Sequence, residues 1–381
     1  MLKIAIVTNN YTPYCAGVVS SINSFVLELQ KRGHIVHIIT LDFLGDKHND
    51  PEHVIRIPSI TRFMYKKNHM GVPWKKTQKL IHILKKLQPD IIHTQHPFFI
   101  GQSALKAARK LDIPIIFTYH TIYEQYAHYL PLPEYITKPI IKKIVLSFCK
   151  KIDGIIVPSN AIKHYLYEKN IETKIVKIPS SILPIFASQQ KITKKNKLFT
   201  LLTVGRFVPE KNMPLLLDIF KTLYTNDKQY RFILAGCGCD GNKLKRYAYD
   251  KLSLSPEHVT FTYKKNKSEL AQLYQNADLF LFSSTSDTQG LVLAEAMACG
   301  CPVVSIDGPG QRDIIKNGMN GFLCHESQEM ITKIKNISQN PKLLENLRSH
   351  ACKTGQTYTP SNMGHKLIAF YNEIVELYKK R

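Results

Sequence analysis

The chain of 381 residues carries 52 lysine and arginine residues against 29 aspartate and glutamate residues, a formal net charge of +23. Its length exceeds one ordinary compact core and predicts two domains. A hydrophobic content of 44% excludes a disordered or collagen-like chain. The first residues lack the features of a signal peptide, and every apolar run is too short to cross a bilayer. We therefore expect a cytoplasmic protein with, at most, peripheral membrane contact.

The positive charge is concentrated in the first half, which has 28 basic and 12 acidic residues up to Lys195. Such a field favours an anionic partner: phospholipid head groups, nucleic acid or a phosphorylated substrate. A general preference for lysine explains the excess equally well, and composition leaves both interpretations open. Arginine is sparse and aromatic residues do not alternate with basic ones, so we expect no nucleic-acid partner.

Short β-branched runs alternate with amphipathic stretches along the whole chain, as in the βα units of a parallel sheet. The first series predicts strands at 3–8, 34–40, 91–94, 114–119, 154–158 and 174–178, with helices near 18–32, 74–88 and 101–111. Residues 188–197 are polar and lysine-rich, which predicts a linker. A second series follows, with strands at 199–204, 231–235, 258–262, 279–283, 302–306 and 321–324. Two successive α/β domains are predicted.

Residues 204–212 follow a predicted strand and precede a predicted helix, which places Arg206 and Lys211 at the carboxyl end of that strand. A guanidinium group can donate two hydrogen bonds to phosphate oxygens, and an ammonium group adds a mobile positive charge. The pair predicts an anion site suited to a diphosphate leaving group. On its own, the pattern also fits two solvated cations of a surface loop.

Residues 287–300 place one carboxylate, Asp287, in a loop and a second, Glu295, within the helix that follows. The free amides at the start of that helix can bind phosphate oxygens, and the acids can accept hydrogen bonds from sugar and ribose hydroxyl groups. Glu295 could instead be an exposed helix acid without a task. Its neighbours are nearly all apolar, however, and an unpaired carboxylate among them costs free energy. The segment predicts a nucleotide-sugar site.

These residues resemble the family 4 retaining glycosyltransferases of the GT-B fold, whose signature is two glutamates separated by seven residues. Asp287 and Glu295 occupy those positions here. The resemblance extends over nearly the whole chain. Its other matching residues are Ala16 to Val19, His93 to Gly101, His120, Pro158 and Ser159, Gly205 and Arg206, Glu210 and Lys211, and Ala235 to Gly238.

The resemblance implies an α/β protein with two Rossmann-like, doubly wound parallel-sheet domains that face each other across a cleft. Residues 1–187 would form an acceptor-binding and membrane-docking domain, and residues 188–361 a nucleotide-sugar-binding domain. The final helix, about 362–381, would cross back to the first domain. The implied reaction is a front-face transfer that retains the anomeric configuration and uses no metal.

The resemblance also implies roles for single residues. Arg206 and Lys211 would neutralise the departing diphosphate, while Asp287 and Glu295 would hold hydroxyl groups of the donor sugar and the ribose. His120 would lie near the sugar as an active-site residue. The remaining residues implied in donor binding are Gly17, Gly236, Gln289, Gly290, Leu291 and Val292.

Two short segments narrow the implied substrates. Residues 17–22 and 119–129 are similar to those of bacterial 1,2-diacylglycerol 3-glucosyltransferases, which implies UDP-glucose as donor and diacylglycerol as acceptor. Asp287 departs from the family's glutamate, and its shorter side chain puts the donor's identity in doubt. A polysaccharide, inositol or polyprenyl-linked acceptor stays open, as does a non-catalytic protein that binds membranes or nucleic acid.

Two lysine-rich amphipathic stretches, 74–88 and 139–151, are candidates for contact with an anionic membrane surface at the inner face of the cell membrane. The alternative is that both helices pack against the sheet with their lysines in water. The cysteines predict no metal site, because the two Cys-Gly-Cys sequences, at 237–239 and 299–301, lack the spacing of zinc ligands.

Overall fold

The computed structural model describes residues 1–12, 17–42, 50–65, 68–73, 75–129, 132–187, 198–263 and 266–381. The chain divides into two compact units, Met1–Ser181 with Pro360–Arg381, and Ile182–Thr359. The predicted linker, 188–197, lies outside the described residues and stays a prediction. Within the described ranges, no helix combines the length and the apolar character needed to span a bilayer.

The first unit contains a seven-stranded parallel sheet and a separate antiparallel pair of strands. Its strands are β1 (Lys3–Val7), β2 (Ile35–Leu41), β3 (Val54–Ile57), β4 (Ser59–Tyr65), β5 (Asn68–Pro73), β6 (Ile91–Thr94), β7 (Ile115–Thr118), β8 (Gly154–Val157) and β9 (Ile175–Lys177). The parallel order is β3-β2-β1-β6-β7-β8-β9, and β4 pairs with β5. Its helices are α1 (Gly17–Lys31), α2 (Lys76–Leu87), α3 (Ile100–Leu111), α4 (Glu134–Cys149) and α5 (Asn160–Glu168).

The second unit repeats the α/β plan with six parallel strands. These are β10 (Phe199–Val204), β11 (Tyr230–Ala235), β12 (Val259–Thr262), β13 (Leu279–Phe282), β14 (Val303–Ile306) and β15 (Gly321–Cys324), in the order β12-β11-β10-β13-β14-β15. Its helices are α6 (Pro184–Ala187), α7 (Met213–Asn226), α8 (Gly241–Arg246), α9 (Lys267–Asn276), α10 (Leu291–Ala298), α11 (Ser327–Gln339) and α12 (Pro341–Gln356). The predicted pair of parallel-sheet α/β domains is confirmed.

The predicted strands lie within one or two residues of the observed ones, because strands buried on both faces form continuous apolar runs. Strands β3, β4 and β5 were not predicted. In β3 the charged Arg56 interrupts a four-residue run, and the structure pairs it with Asp50 at 2.6 Å. Strands β4 and β5 were missed because the sequence between them contains no Asn-Gly or Asp-Gly pair, which would predict a hairpin.

The final helix, α13 (Pro360–Lys379), packs against the first sheet together with α1. Its buried residues include Leu367, Phe370 and Ile374, which contact Ile6 and Leu29 in one hydrophobic cluster. Helices α2 to α5 cover the other face of the sheet. With helices on both faces, the strands of this sheet carry mainly apolar side chains, and their buried polar residues include Thr40, His93, Thr94 and Thr118.

Helix α2 packs the apolar side of its described residues against the first sheet. Leu80 and Leu84 are fully buried, and Ile83 and Leu87 pack against the same cluster beneath the sheet. The helix begins at Lys76, and residue 74, which the prediction included, lies outside the described residues. The structure packs the described apolar residues of this helix on the sheet, as the alternative interpretation has it, and the predicted contact of 74–88 with an anionic membrane surface stays a prediction.

His93, on β6, joins three elements through a buried polar network. Its Nδ1 lies 2.7 Å from the hydroxyl of Tyr371 on α13, and its Nε2 lies 2.6 Å from Oγ1 of Thr118 on β7. The histidine is 3% exposed, and burial lowers the pKa of its imidazole to about 3. His93 is therefore neutral in the folded chain at neutral and mildly acidic pH.

We expect His93 to make the fold sensitive to acid. In the unfolded chain a histidine has a pKa of about 6.5, so the unfolded state takes up a proton below that pH while the folded state does not. Stability is then lost as the pH falls, by about 2 kcal/mol between pH 7 and pH 5. Urea unfolding followed by circular dichroism at several pH values measures this. A His93→Gln variant with the same pH dependence as the wild type would contradict the assignment.

Candidate functional site

The second sheet has a topological switch point at β10, because β11 lies on one side of it and β13 on the other. Loops that leave neighbouring strands in opposite directions open a crevice at the carboxyl edge of a parallel sheet. The loop after β10 carries Arg206 and Lys211, and the loop after β13 carries Asp287. The fold thus brings two predicted segments, far apart in sequence, to one edge.

Lys211 and Asp287 form an ion pair at this edge. The Nζ atom of Lys211 donates to both carboxylate oxygens of Asp287, at 2.7 and 2.6 Å. The two side chains are 15% and 19% exposed. Because both residues were predicted to contact the donor, this pair gathers the cationic and acidic halves of the predicted site into one cluster.

Two serines fix the position of Lys211. Ser283 donates its hydroxyl to the carbonyl oxygen of Lys211 at 2.8 Å, and Ser284 donates to that of Glu210 at 3.0 Å. These bonds hold the short helix Pro209–Lys211 against the end of β13. The position of the lysine is therefore set by the neighbouring strand as well as by its own loop.

Arg206 is held more loosely in the same loop. Its nearest carboxylate is that of Glu210, with 3.5 Å between Nη2 and Oε1. The arginine side chain is 49% exposed, whereas that of Glu210 is 11% exposed. A weak contact of this length leaves the guanidinium group directed largely at solvent.

Glu295 is buried within α10, at 5% exposure. Burial raises the pKa of its carboxyl, and the positive charge of Lys267 and a hydrogen bond from Tyr274 oppose that rise. The phenol of Tyr274, on α9, donates to Oε2 of Glu295 at 3.1 Å. Glu295 is therefore buried and accepts a hydrogen bond, whereas the alternative interpretation expected an exposed helix acid. Its predicted contact with ribose stays a prediction.

Two glycines at this edge are required by their surroundings. A Cβ atom at Gly236 would lie 1.8 Å from the carbonyl oxygen of Gly205, so only glycine lets the loops after β10 and β11 touch. Gly290 has φ +67°, and a Cβ atom there would meet Leu293 at 2.8 Å. Gly290 is the N-cap of α10, whose first residues are Leu291 and Val292.

The predicted residues of the first unit lie at the carboxyl edge of its own sheet. His120 follows β7, and its Nε2 donates to Oε1 of Gln95, the residue after β6, at 2.7 Å. Burial lowers the pKa of His120 to about 3, so its imidazole is neutral at neutral pH. Gly17 begins α1 at an exposed position, where a Cβ atom would meet open space. Their predicted roles toward the donor stay predictions.

Several residues at the carboxyl edge of the second sheet were not predicted from the sequence. Ser283, Ser284 and Tyr274 are common residue types whose partners lie on other elements, so no local pattern marks them. Gln311, fully buried, donates its Nε2 to the carbonyl oxygen of Ile306 at 3.3 Å and also to that of Ser284. The glycine and proline residues at 308–310 mark a loop after β14, and this pattern could have pointed to the position of Gln311.

The structure describes no group of three or more histidine, cysteine, aspartate or glutamate side chains, within its ranges, that could hold a metal ion. Cys237 and Cys239 are exposed, and Cys301 is buried. The predicted contact of an anionic ligand with Arg206 and Lys211 stays a prediction.

Comparison with known proteins gives the class. Residues 16–182 match the model of Glycosyltransferase Family 4, and residues 185–354 match that of Glycosyl transferases group 1. The crystal structure of Anabaena Alr3699/HepE in complex with UDP superimposes with a TM-score of 0.77 at 17% identity, over 98% of this chain and 100% of that one. The chain is a glycosyltransferase, of the hexosyltransferase type, and its fold is GT-B.

Full-length relatives define the family. The alpha-monoglucosyldiacylglycerol synthase of Streptococcus pneumoniae is 31% identical over 98% of this chain and 86% of its own length. The enzyme of the same name from Acholeplasma laidlawii is 28% identical over 100% of this chain and 99% of its own. This chain belongs to the family 4 glycosyltransferases.

The two ends of α10 offer a matched test of the glycine at the N-cap. Replacing Gly290 by alanine adds both left-handed strain, about 1–2 kcal/mol, and a clash with Leu293. Replacing Gly300, which has φ +77° and nothing within 4 Å of a Cβ atom, adds the strain alone. We expect Gly290→Ala to lower the free energy of unfolding more than Gly300→Ala, in urea titrations. An equal decrease in the free energy of unfolding for both variants would show that Leu293 moves aside without destabilising the fold.

Proposed function

We propose that this protein transfers glucose from UDP-glucose to diacylglycerol with retention of the anomeric configuration. The observation that carries the proposal is the cluster of Arg206, Lys211 and Asp287 at the switch point of the second sheet, with Glu295 in the helix that follows. Two cations at one edge suit a diphosphate, and two carboxylates suit the hydroxyl groups of sugar and ribose.

In the proposed reaction the bond between the anomeric carbon and the β-phosphate oxygen breaks, and UDP leaves with the electron pair. Arg206 and Lys211 stabilise the charge that grows on the diphosphate, an electrostatic effect that is usually the largest catalytic contribution. The acceptor hydroxyl attacks from the face that UDP leaves, and a phosphate oxygen takes its proton. Same-face attack retains the configuration, and no metal ion takes part.

The choice of donor and acceptor is supported by relatives. Two full-length relatives are named alpha-monoglucosyldiacylglycerol synthases, and the neighbour Alr3699/HepE was crystallised with UDP-glucose. Other relatives are GDP-mannose-dependent alpha-mannosyltransferases, for example one from Mycobacterium tuberculosis at 26% identity over 84% of this chain. A donor panel must therefore include GDP-mannose beside UDP-glucose.

The test is a transfer assay with labelled nucleotide sugars and vesicles that contain diacylglycerol, with the product identified by mass spectrometry and its anomer by NMR. We expect an α-glucosyl diacylglycerol, formed equally well in the presence of EDTA. Lys211→Ala should lower kcat on the order of 100-fold or more, because one charge facing the leaving group is lost. Lys342→Ala, an exposed lysine on α12, is the control. An inverted product, or transfer from GDP-mannose only, would contradict the proposal.

We further propose that α4 carries the contact with an anionic bilayer, at the inner face of the cell membrane. Ile136, Ile140 and Ile144 recur every four residues along this helix and are 40%, 52% and 40% exposed. We call these three residues the α4 stripe. The helix begins at Glu134, earlier than predicted, so the stripe starts within its first turn, at Ile136.

The surroundings of the α4 stripe suit a lipid surface. The opposite side of α4 is anchored in the core by Val145 and Phe148, so the stripe cannot turn inward. Lys143 is exposed on the same side of the helix and adds attraction to anionic head groups of about 1 kcal/mol, whereas Lys138 pairs with Glu134. An exposed apolar row beside a lysine is the pattern of an interfacial helix.

Replacing all three isoleucines of the α4 stripe by serine should weaken binding to phosphatidylglycerol-containing vesicles about tenfold or more, since each loses apolar area that would enter the bilayer. Vesicle flotation measures this. Leu27→Ser, at a 63% exposed position on α1, is the control for loss of a surface hydrophobe. Unchanged flotation of the triple variant, with unchanged thermal unfolding, would place the membrane contact elsewhere.

A further inference from the structure

Lys211 and Arg206 differ sharply in how firmly carboxylates hold them. Lys211 donates to both oxygens of Asp287 within 2.7 Å, in a pair that is largely shielded from water. Arg206 lies 3.5 Å from Glu210 and is half exposed. Without a ligand, the charge of Lys211 is therefore neutralised by its partner, while that of Arg206 is directed at solvent.

The backbone on both sides of the pair is fixed. The carbonyl of Lys211 accepts from Ser283, and the amide of Gly310 donates to the carbonyl oxygen of Asp287 at 2.9 Å. The pair is therefore part of a built edge, unlike a surface ion pair between two mobile side chains, which contributes little. A ligand that needs Lys211 must compete with a carboxylate that stays in place.

A bare nucleoside diphosphate and a nucleotide sugar compete on different terms. A diphosphate alone is attracted to Lys211 and repelled by the negative charge of Asp287. It has no hydroxyl group that could donate a hydrogen bond to the Asp287 carboxylate from the sugar position. A nucleotide sugar brings hydroxyl groups that donate to Asp287, so the carboxylate keeps hydrogen-bond donors when the lysine turns to the phosphate. Binding of the sugar and of the diphosphate are then coupled through one pair of side chains.

We propose that the ion pair between Lys211 and Asp287 withholds Lys211 from a bare nucleoside diphosphate and releases it to a nucleotide sugar whose hydroxyl groups bind Asp287. This inference rests on the proposed function, because it takes the ligand of this edge to be a nucleotide sugar. Its consequence is selectivity: the enzyme binds its donor in preference to the nucleotide product, which favours product release.

The experiment is isothermal titration of the full chain with UDP and, separately, with UDP-glucose. Asp287→Asn removes the charge but keeps the shape of the side chain, so Lys211 becomes available to UDP. We expect UDP to bind on the order of fivefold tighter or more, while UDP-glucose does not gain, so that the preference for the donor shrinks. In a Lys211→Gln background, Asp287→Asn should lose most of this effect on UDP.

Two further variants separate the ion pair from general charge. Glu210→Gln removes one negative charge from the same turn without touching Lys211 and should change UDP affinity less than about twofold. Asp287→Glu keeps the charge and should likewise stay within about twofold of the wild type for UDP. If Asp287→Asn binds UDP no better than the wild type does, or if Glu210→Gln tightens UDP equally, the inference is wrong although the proposed function stands. A wild-type chain that binds neither ligand would overturn the proposed function and this inference with it.

Discussion

The parallel pairing of β10 with β13 is the constraint on which the candidate site depends. Leu201 faces Leu279 and Leu202 faces Phe280 in the register of these strands, so the loops after both strands leave the sheet at one edge. Nearly eighty residues separate the two loops in the chain, and no local interaction brings them together. A slip in this register would move Lys211 away from Asp287 and dissolve the site.

The edge is built from polar groups that satisfy one another. Ser283 and Ser284 hold the turn with Lys211, Gln311 holds the loop after β13, and Tyr274 supports Glu295. Each of these bonds uses a group that would otherwise be buried without a partner, at a cost in free energy. These bonds leave Lys211, Asp287 and Glu295 little freedom, whereas Arg206 is held loosely. Fixed charged groups are the condition for electrostatic stabilisation of a leaving group.

The first unit is also a parallel α/β sheet covered by helices, and its surface is rich in lysine. Its sheet buries the neutral His93, the neutral His120 follows β7, and many lysines of this unit lie on its helices. Helices α2 and α4 look alike in sequence, yet the sheet covers the apolar side of α2 and leaves a row of isoleucines on α4 exposed. The lysine-rich helices and the predicted anion site thus lie in different units of the chain.

The sequence was sufficient to predict the second sheet, all strands of the first parallel sheet except β3, and the segments that form the cluster. Continuous β-branched runs mark buried parallel strands, and Arg206, Lys211, Asp287 and Glu295 stand in loops or helices directly after such runs. It did not reveal which helix face is covered, because amphipathic periodicity is the same for a sheet and for a bilayer. Nor did it reveal the partners Tyr274 and Gln311, which tertiary contacts alone bring to the site.

The proposed function requires that a nucleotide sugar bind at the carboxyl edge of β10 and β13. A crystal structure of the chain with UDP-glucose would show whether it does. We expect diphosphate oxygens at hydrogen-bond distance, about 3 Å, from the guanidinium of Arg206 and the Nζ atom of Lys211, with sugar hydroxyl groups at Asp287. A diphosphate bound elsewhere, with Lys211 still joined to Asp287, would contradict it.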